Sequence, residues 1–258
     1  MNNSTRAAGR TVNKRKMLAV INRLEKHLGM PERRNDKHPP DPLDMLIATL
    51  LSQNTNDTNS YRAWTKLKEK YPDYESMYRA RTSSIESAIR SGGMAKQKAT
   101  RIKELLRSIR KKYGSFSLSR LRRKSDIEIL EELTSLNGIG MKTASCVLLF
   151  SLGRKSFPVD THVHRILNRI GIVTTPNPEK TFLAVQELIP PEKMYSFHTN
   201  LIRFGRSTCK AQQPECYDCP FMKLCQYGQK VLVRNGKPKN KQAGNKKRDF
   251  MLLDNVRL

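Results

Sequence analysis

The apolar residues of this chain recur at helical spacing, and no convincing run of alternating apolar and polar residues accompanies them. Leu43, Leu46, Ile47, Leu50 and Leu51 follow the 3.6-residue period, and so do Ala99, Ile102, Leu105, Leu106 and Ile109. Ser83-Ser84-Ile85-Glu86 reads as a capping box opening a short helix that Gly92-Gly93 stops. Ser125-Asp126-Ile127-Glu128 reads as a second box, followed by a stripe of Leu130, Leu133 and Leu136. Stripes of this kind are core, and a chain built from them is predicted to be all-α.

The 258 residues suffice for one large or two small domains. The longest apolar runs, such as Cys146–Phe150, are far too short to span a bilayer, and Met1 to Lys16 holds no apolar segment. Neither a membrane span nor a secretory signal is therefore expected, and an intracellular, thiol-reducing location is. The formal net charge is +26. Residues 1–16 hold five basic and no acidic residues, and residues 229–258 hold nine basic and two acidic, so the body itself stays strongly basic. By charge alone the partner is a polyanion: DNA, RNA or an anionic membrane surface. The Lys/Arg/Asn/Gly-rich ends, 1–15 and roughly 234–249, are expected to be disordered, whereas Phe250–Leu253 is apolar enough to dock on the body.

Leu136-Asn137-Gly138-Ile139-Gly140-Met141-Lys142-Thr143-Ala144 is the first motif that carries chemistry. Two glycines one residue apart allow a tight turn and close approach to another surface. A helix starting just after Gly140 would turn its free N–H groups and positive dipole end to the same place, a setting that binds phosphate without side-chain charge. Gly138, Ile139 and Gly140 thus become candidate DNA contacts, with a purely structural turn as the alternative. Lys142 falls in the first turn of that helix, where a lysine opposes the dipole. It is either a second phosphate contact or an amine nucleophile whose pKa the helix end and partial burial lower.

Eighteen residues on, Pro158-Val159-Asp160-Thr161-His162-Val163-His164-Arg165 delivers Asp160 at or near the start of a new helix. Asp160 is either a plain N-cap or a carboxylate that stabilises positive charge on a sugar ring and manages a proton. His162 and His164, two apart on a helix, point to different faces and do not share a metal. Four of five cysteines lie within seventeen residues, as Cys209-x6-Cys216-x2-Cys219-x5-Cys225. Thiolates this dense point to a metal centre. Zinc sites usually pair two Cys-x2-Cys elbows, and one elbow within irregular loops better suits a [4Fe–4S] cluster. Arg203, Arg206, Lys210 and Lys223 lie close by in sequence and could contact phosphate; Cys146, in an apolar helix, reads as core.

The run Leu-Asn-Gly-Ile-Gly-Met-Lys-Thr-Ala, then Val-Asp-Thr-His-Val-His-Arg-Ile, with this cysteine spacing, resembles the endonuclease III family of helix–hairpin–helix DNA glycosylases from about Asp41 to Cys225. The resemblance implies a bifunctional DNA glycosylase and AP lyase of base excision repair, acting as a monomer on double-stranded DNA with damaged bases, oxidised pyrimidines above all, or abasic sites. It implies a Lys142 Schiff base with the sugar, assistance from Asp160, strand cutting by β-elimination, and a [4Fe–4S] cluster on Cys209, Cys216, Cys219 and Cys225. It makes Met94 a wedge entering the base stack, and puts Asn54, with Gln53 beside it, where relatives carry a stack-filling glutamine. Asn137 stands where relatives commonly have proline. A mismatch-specific or monofunctional glycosylase, or a non-catalytic helix–hairpin–helix DNA-binding protein, is the alternative. The expected organisation is a helical domain over 36–154, a cluster domain from 16–35 and 155–228, and basic tails over 1–15 and 229–258.

Overall fold

The computed structural model describes residues 14–31, 39–235, 252–254 and 256. Most of both basic tails, 1–13 and 236–251 among them, therefore lies outside the described residues. Every regular element among the described residues is helical, as the periodicity predicts. The chain divides into two compact units. One, the helical unit, takes 32–158 and 245–258; the other, the cysteine unit, takes 1–31 and 159–244.

The helical unit contains α2 (Pro42–Leu51), α3 (Asp57–Lys70), α4 (Tyr74–Arg79), α5 (Thr82–Ala88), α6 (Ala95–Tyr113), α7 (Asp126–Thr134) and α8 (Met141–Cys146); α1 (Lys14–Leu28) precedes it in the other unit. All ten residues of α2 are buried, so it is the post around which α3, α6 and α8 pack. Asp41 starts it, its carboxylate accepting from the Leu43 amide at 2.8 Å, with Pro42 pre-set for the first turn. Each fully buried leucine or isoleucine of this helix contributes about 1.5–3 kcal/mol. On α6, Ala99, Ile102, Leu105, Leu106 and Ile109 are all buried, and Gly114, at φ 71°, closes the helix by donating to the Arg110 carbonyl at 2.9 Å. Leu252, Leu253 and Val256 are buried too, and Leu252–Asp254 lies against α2 and α3.

Three local expectations meet different outcomes. Ser125 and Glu128 form the reciprocal capping box on α7. The Ser83 box does not form: the helix cap lies two residues earlier, at Arg81, with no side-chain bond, and α5 ends at Ala88, before the glycines. Ser84, in that first turn, instead receives the Tyr71 hydroxyl at 2.7 Å. On α7 the core positions fall to Ile129 and Leu133, while Leu130 is half-buried and Leu136, also buried, lies beyond the helix.

The cysteine unit pairs α1 with α11 (Met194–Ser207), and packs α9 (Thr161–Ile170) on α10 (Pro178–Val185), α11 and α12 (Gln226–Asn235). Met17, Val20, Ile21 and Leu24 give α1 its buried face. Glu25 on α1 accepts from Lys193 at 2.7 Å and Ser196 at 2.6 Å, and Asn200 donates to the Gly29 carbonyl at 3.0 Å. At Gly205 an added Cβ would sit 2.6 Å from the His162 ring, so only glycine lets α11 meet α9 there. Residues 229–235, assigned by sequence to the tail, complete α12. No helix among the described residues is long and apolar enough to cross a membrane.

Candidate functional site

The hairpin joins α7 to α8 through residues 135–140. The Ile139 amide bonds the Leu136 carbonyl at 3.1 Å, closing the turn, and Gly138 takes φ 80°, a conformation that L side chains rarely adopt. Ile139 is buried and pins the turn to the core, while Gly138 and Gly140 on either side are exposed. An added Cβ on either glycine would meet no atom within 4 Å. Room inside the protein is thus not what requires glycine at 140; a bare backbone facing outward is what remains. Gly140 caps α8 without any side-chain bond, so the first-turn amides lack a side-chain acceptor from the cap. After Cys146 the helix widens into a π turn over Val147–Ser151, with the Leu152 amide reaching back to Val147 at 3.1 Å. Cys146 is fully buried in that helix.

Lys142 stands in the first turn of α8, half-buried, and within its own unit its amine has no hydrogen-bond or ion-pair partner among the described residues. Asp160 belongs to the cysteine unit and opens α9, its Oδ1 accepting from the Val163 amide at 2.8 Å. The N-cap geometry read from the sequence is present, and it occupies one carboxylate oxygen in that bond. His162 and His164 part company as their spacing requires. The His162 ring lies 3.0 Å from an Arg165 nitrogen, and His164 Nδ1 lies 2.7 Å from Thr181 Oγ1. Burial lowers both pKa values.

Gln53, Asn54 and Met94 come together in the helical unit. Asn54 follows the end of α2 at φ 52°, and Met94 precedes α6 at φ 50° with a left-handed conformation. The Asn54 amide nitrogen donates to the Met94 sulfur at 3.6 Å. Asparagine tolerates that backbone region; methionine does so at a cost of about 1–2 kcal/mol. Met94 is 46% exposed. A strained, long, apolar side chain held outward is the kind of outlier from which function is inferred. Gln53 is braced by Arg101, which donates to its Oε1 at 2.9 Å.

Cys209, Cys216, Cys219 and Cys225 line one pocket of the cysteine unit, together with Arg169, Phe204, Phe221 and Tyr227. Backbone amides of Phe221 and Gly228 point at the sulfurs of Cys219 and Cys225, at 3.4 and 3.3 Å, and an Arg169 nitrogen lies 3.5 Å from that of Cys209. Burial pushes the Cys219 thiol up to about 12 and raises Cys216 and Cys225, and the neighbouring thiols add to each rise. Thiols that hold one another's protons on lose them to solvent when a cation takes their place among the sulfurs. Among the described residues, no three His, Cys, Asp or Glu groups are arranged to hold a single metal ion. The four sulfurs share a pocket rather than a point.

Two sets of residues escaped the sequence reading. Arg165 and Arg169, one turn apart on α9, hold the cysteine loop: Arg165 donates to the Gly205 and Cys209 carbonyls, and Arg169 to those of Lys210 and Ala211. Their i, i+4 spacing was the available signal. Lys98, 2% exposed, donates to the carbonyls of Leu51 and Gly92, both at 2.8 Å. It lies four and seven residues before Ile102 and Leu105, on the apolar stripe of α6, and a lysine on such a stripe is a legible anomaly.

Residues 47–191 match the HhH-GPD superfamily of base excision DNA repair proteins. The chain is 39% identical over 194 residues to endonuclease III of Thermotoga maritima, covering 75% of this chain and 86% of that one. It is 34% identical to endonuclease III of Bacillus subtilis, over 74% of this chain and 83% of the relative. Among solved structures, a non-covalent endonuclease III–DNA complex superposes with a TM-score of 0.73 at 28% identity, covering 86% of this chain and 99% of that one. A trapped endonuclease III–DNA covalent intermediate gives 0.71 at 29% identity, covering 85% and 99%.

Proposed function

The chain belongs to the endonuclease III family of HhH-GPD base excision DNA repair proteins, and from that premise we propose that it is a bifunctional DNA glycosylase and AP lyase with Lys142 as its nucleophile. In this reading the exposed hairpin backbone takes a phosphate, and the Lys142 amine attacks C1′ of the target sugar. The N-glycosidic bond breaks and the base departs with its electron pair. Asp160 stabilises the positive charge that develops on the sugar and manages the amine's proton. The resulting Schiff base permits β-elimination, which cuts the strand. The substrate is double-stranded DNA with a damaged base, an oxidised pyrimidine above all, or an abasic site, and the protein acts as a monomer.

The observation that carries this reading is the placement of Lys142: an amine one turn into the helix that follows a bare glycine hairpin, without a partner in its own unit. Silent DNA binding needs the hairpin but not a free, half-buried amine beside it. Borohydride trapping on an abasic duplex tests it. The wild type should form a covalent adduct, and Lys142→Ala should form none while keeping its affinity for duplex. A variant that still traps, or a wild type that never does, ends the proposal. Oxidised, mismatched and abasic duplexes run side by side then sort the lesion class.

We propose further that Cys209, Cys216, Cys219 and Cys225 hold a [4Fe–4S] cluster. Each thiolate of such a cluster binds a different iron, so the sulfurs surround it instead of converging on one point, and amides aimed at sulfur suit that arrangement. When bound, the cluster fixes the loop and supplies no chemistry to base removal. Purified protein should be yellow-brown, whereas a colourless, zinc-loaded preparation would refute the assignment. Stripping the metal should lower the melting temperature.

A further inference from the structure

We propose that Lys98 is a positioning residue for lesion recognition: by tying the Leu51 carbonyl to the Gly92 carbonyl it holds the Gln53–Asn54 turn and the Met94 turn together as one wedge. The inference rests on the glycosylase reading above and assigns the wedge a support of its own.

Leu51 is the last residue of α2, where helix carbonyls run out of amide partners. The Lys98 ammonium meets that carbonyl at 2.8 Å, two residues before Gln53. It meets the Gly92 carbonyl at the same distance, two residues before Met94, while the Lys98 backbone amide bonds Met94 itself at 3.0 Å. One residue therefore fixes three points around the two positive-φ positions, Asn54 and Met94. On the Gly92 side the backbone runs close to α3: a Cβ added there would stand 3.1 Å from the Ala63 Cβ, tighter than an ordinary contact.

The arrangement is costly, which argues against simple space filling. Lys98 is buried with no acidic partner among the described residues, and a leucine at this point of the stripe would bury without penalty. Desolvation pushes its pKa from 10.5 down to about 8. A second buried lysine on the same helix gives the contrast. Lys103 donates to the Tyr78 and Ala80 carbonyls, closing the link between α4 and α5, where no candidate site residue lies. The chemistry is the same in both places and only the cargo differs.

The test compares Lys98→Met with Lys103→Met in single-turnover base release from two duplexes. One carries the lesion base-paired; the other carries it in a one-nucleotide bulge, already outside the stack. On the paired duplex Lys98→Met should be slowed about 10-fold, the scale of a hydrogen-bonded charge removed, and on the bulge it should return to within about twofold of wild type, because extrusion there costs little. Lys103→Met should stay within about twofold on both duplexes whatever it loses in melting temperature, and in a Met94→Ala background Lys98→Met should add almost nothing, since the two act through one device. Equal slowing on both duplexes, a matching defect in Lys103→Met, or additivity with Met94→Ala would each overturn the proposal. A wild type that neither releases base nor traps would instead bring down the glycosylase reading before Lys98 is reached. If Lys98→Met does not fold, Lys98→Gln, which keeps a donor on a shorter arm, replaces it: slowing confined to the paired duplex supports the clamp, and full-rate release overturns it.

Discussion

Two turns of the helical unit look alike in sequence and use their glycines in opposite ways. The hairpin turn sets Gly138 at φ 80°, flanks a buried Ile139 with bare backbone, and begins a helix at Gly140 without a side-chain cap. The turn before α6 sets Gly93 at φ 68° and ψ 155° and then holds Met94 at positive φ as well, in the left-handed region at φ 50°. Where the backbone is the contact surface, glycine meets the conformational demand at no steric cost. Where the side chain is the contact surface, glycine would remove the very atoms needed, and the strain is kept. In the proposed reading, in which the hairpin grips DNA and Met94 enters it, strain separates the two parts.

Substitutions can break that comparison. Gly138→Val should have the largest effect: a β-branched residue at φ 80° is strained by upward of about 1–2 kcal/mol, and affinity for lesion and undamaged duplex should fall together, about 10-fold in a binding titration. A loss confined to lesion DNA would mean that the hairpin is more than a grip. Met94→Gly should do the reverse, relieving about 1 kcal/mol of strain, so that the melting temperature holds or rises while preference for lesion over undamaged duplex drops severalfold. If both affinities fell equally, Met94 would not be a wedge. Asn54→Gln should cost at most about 1 kcal/mol in stability, because glutamine tolerates φ 52° less well than asparagine, and should alter which opposite base is preferred. The smallest effect concerns pH. Lys98 titrates at about 8 in the fold against 10.5 unfolded, so the unfolded chain binds more protons between those values and stability rises with pH across that window. Measured against Lys98→Met, the wild type should gain stability from pH 8 toward 10; a flat difference would show that the buried amine does not titrate there.

The parts of this molecule that obey a local rule were legible from the residues. Periodicity identified α2 and α6, Ser125 with Glu128 marked the start of α7, and Asp160 marked the start of α9. The Ser83 box misled because the helix cap lies two residues before it, at Arg81, which leaves Ser83 inside the first turn, and Ser84 beside it bonds the Tyr71 hydroxyl. Met94 and Asn54 were located by resemblance, but their contact through the sulfur and their shared left-handed backbone belong to the packing of two segments forty residues apart. Lys98 is hidden in the sequence for a different reason. A lysine in an amphipathic helix is read as solvated, and only its position on the stripe contradicts that.

Leu252, Leu253 and Val256 sit buried, with Leu252–Asp254 against α2 and α3, far along the chain from the helices they cover. A protease cut anywhere between Asn235 and Leu252 would turn that seat into a complex between two molecules. The nicked protein would then hold its short peptide only by mass action, and dilution would release it. Intact protein should melt at the same temperature at any concentration, whereas its nicked counterpart should melt lower as it is diluted.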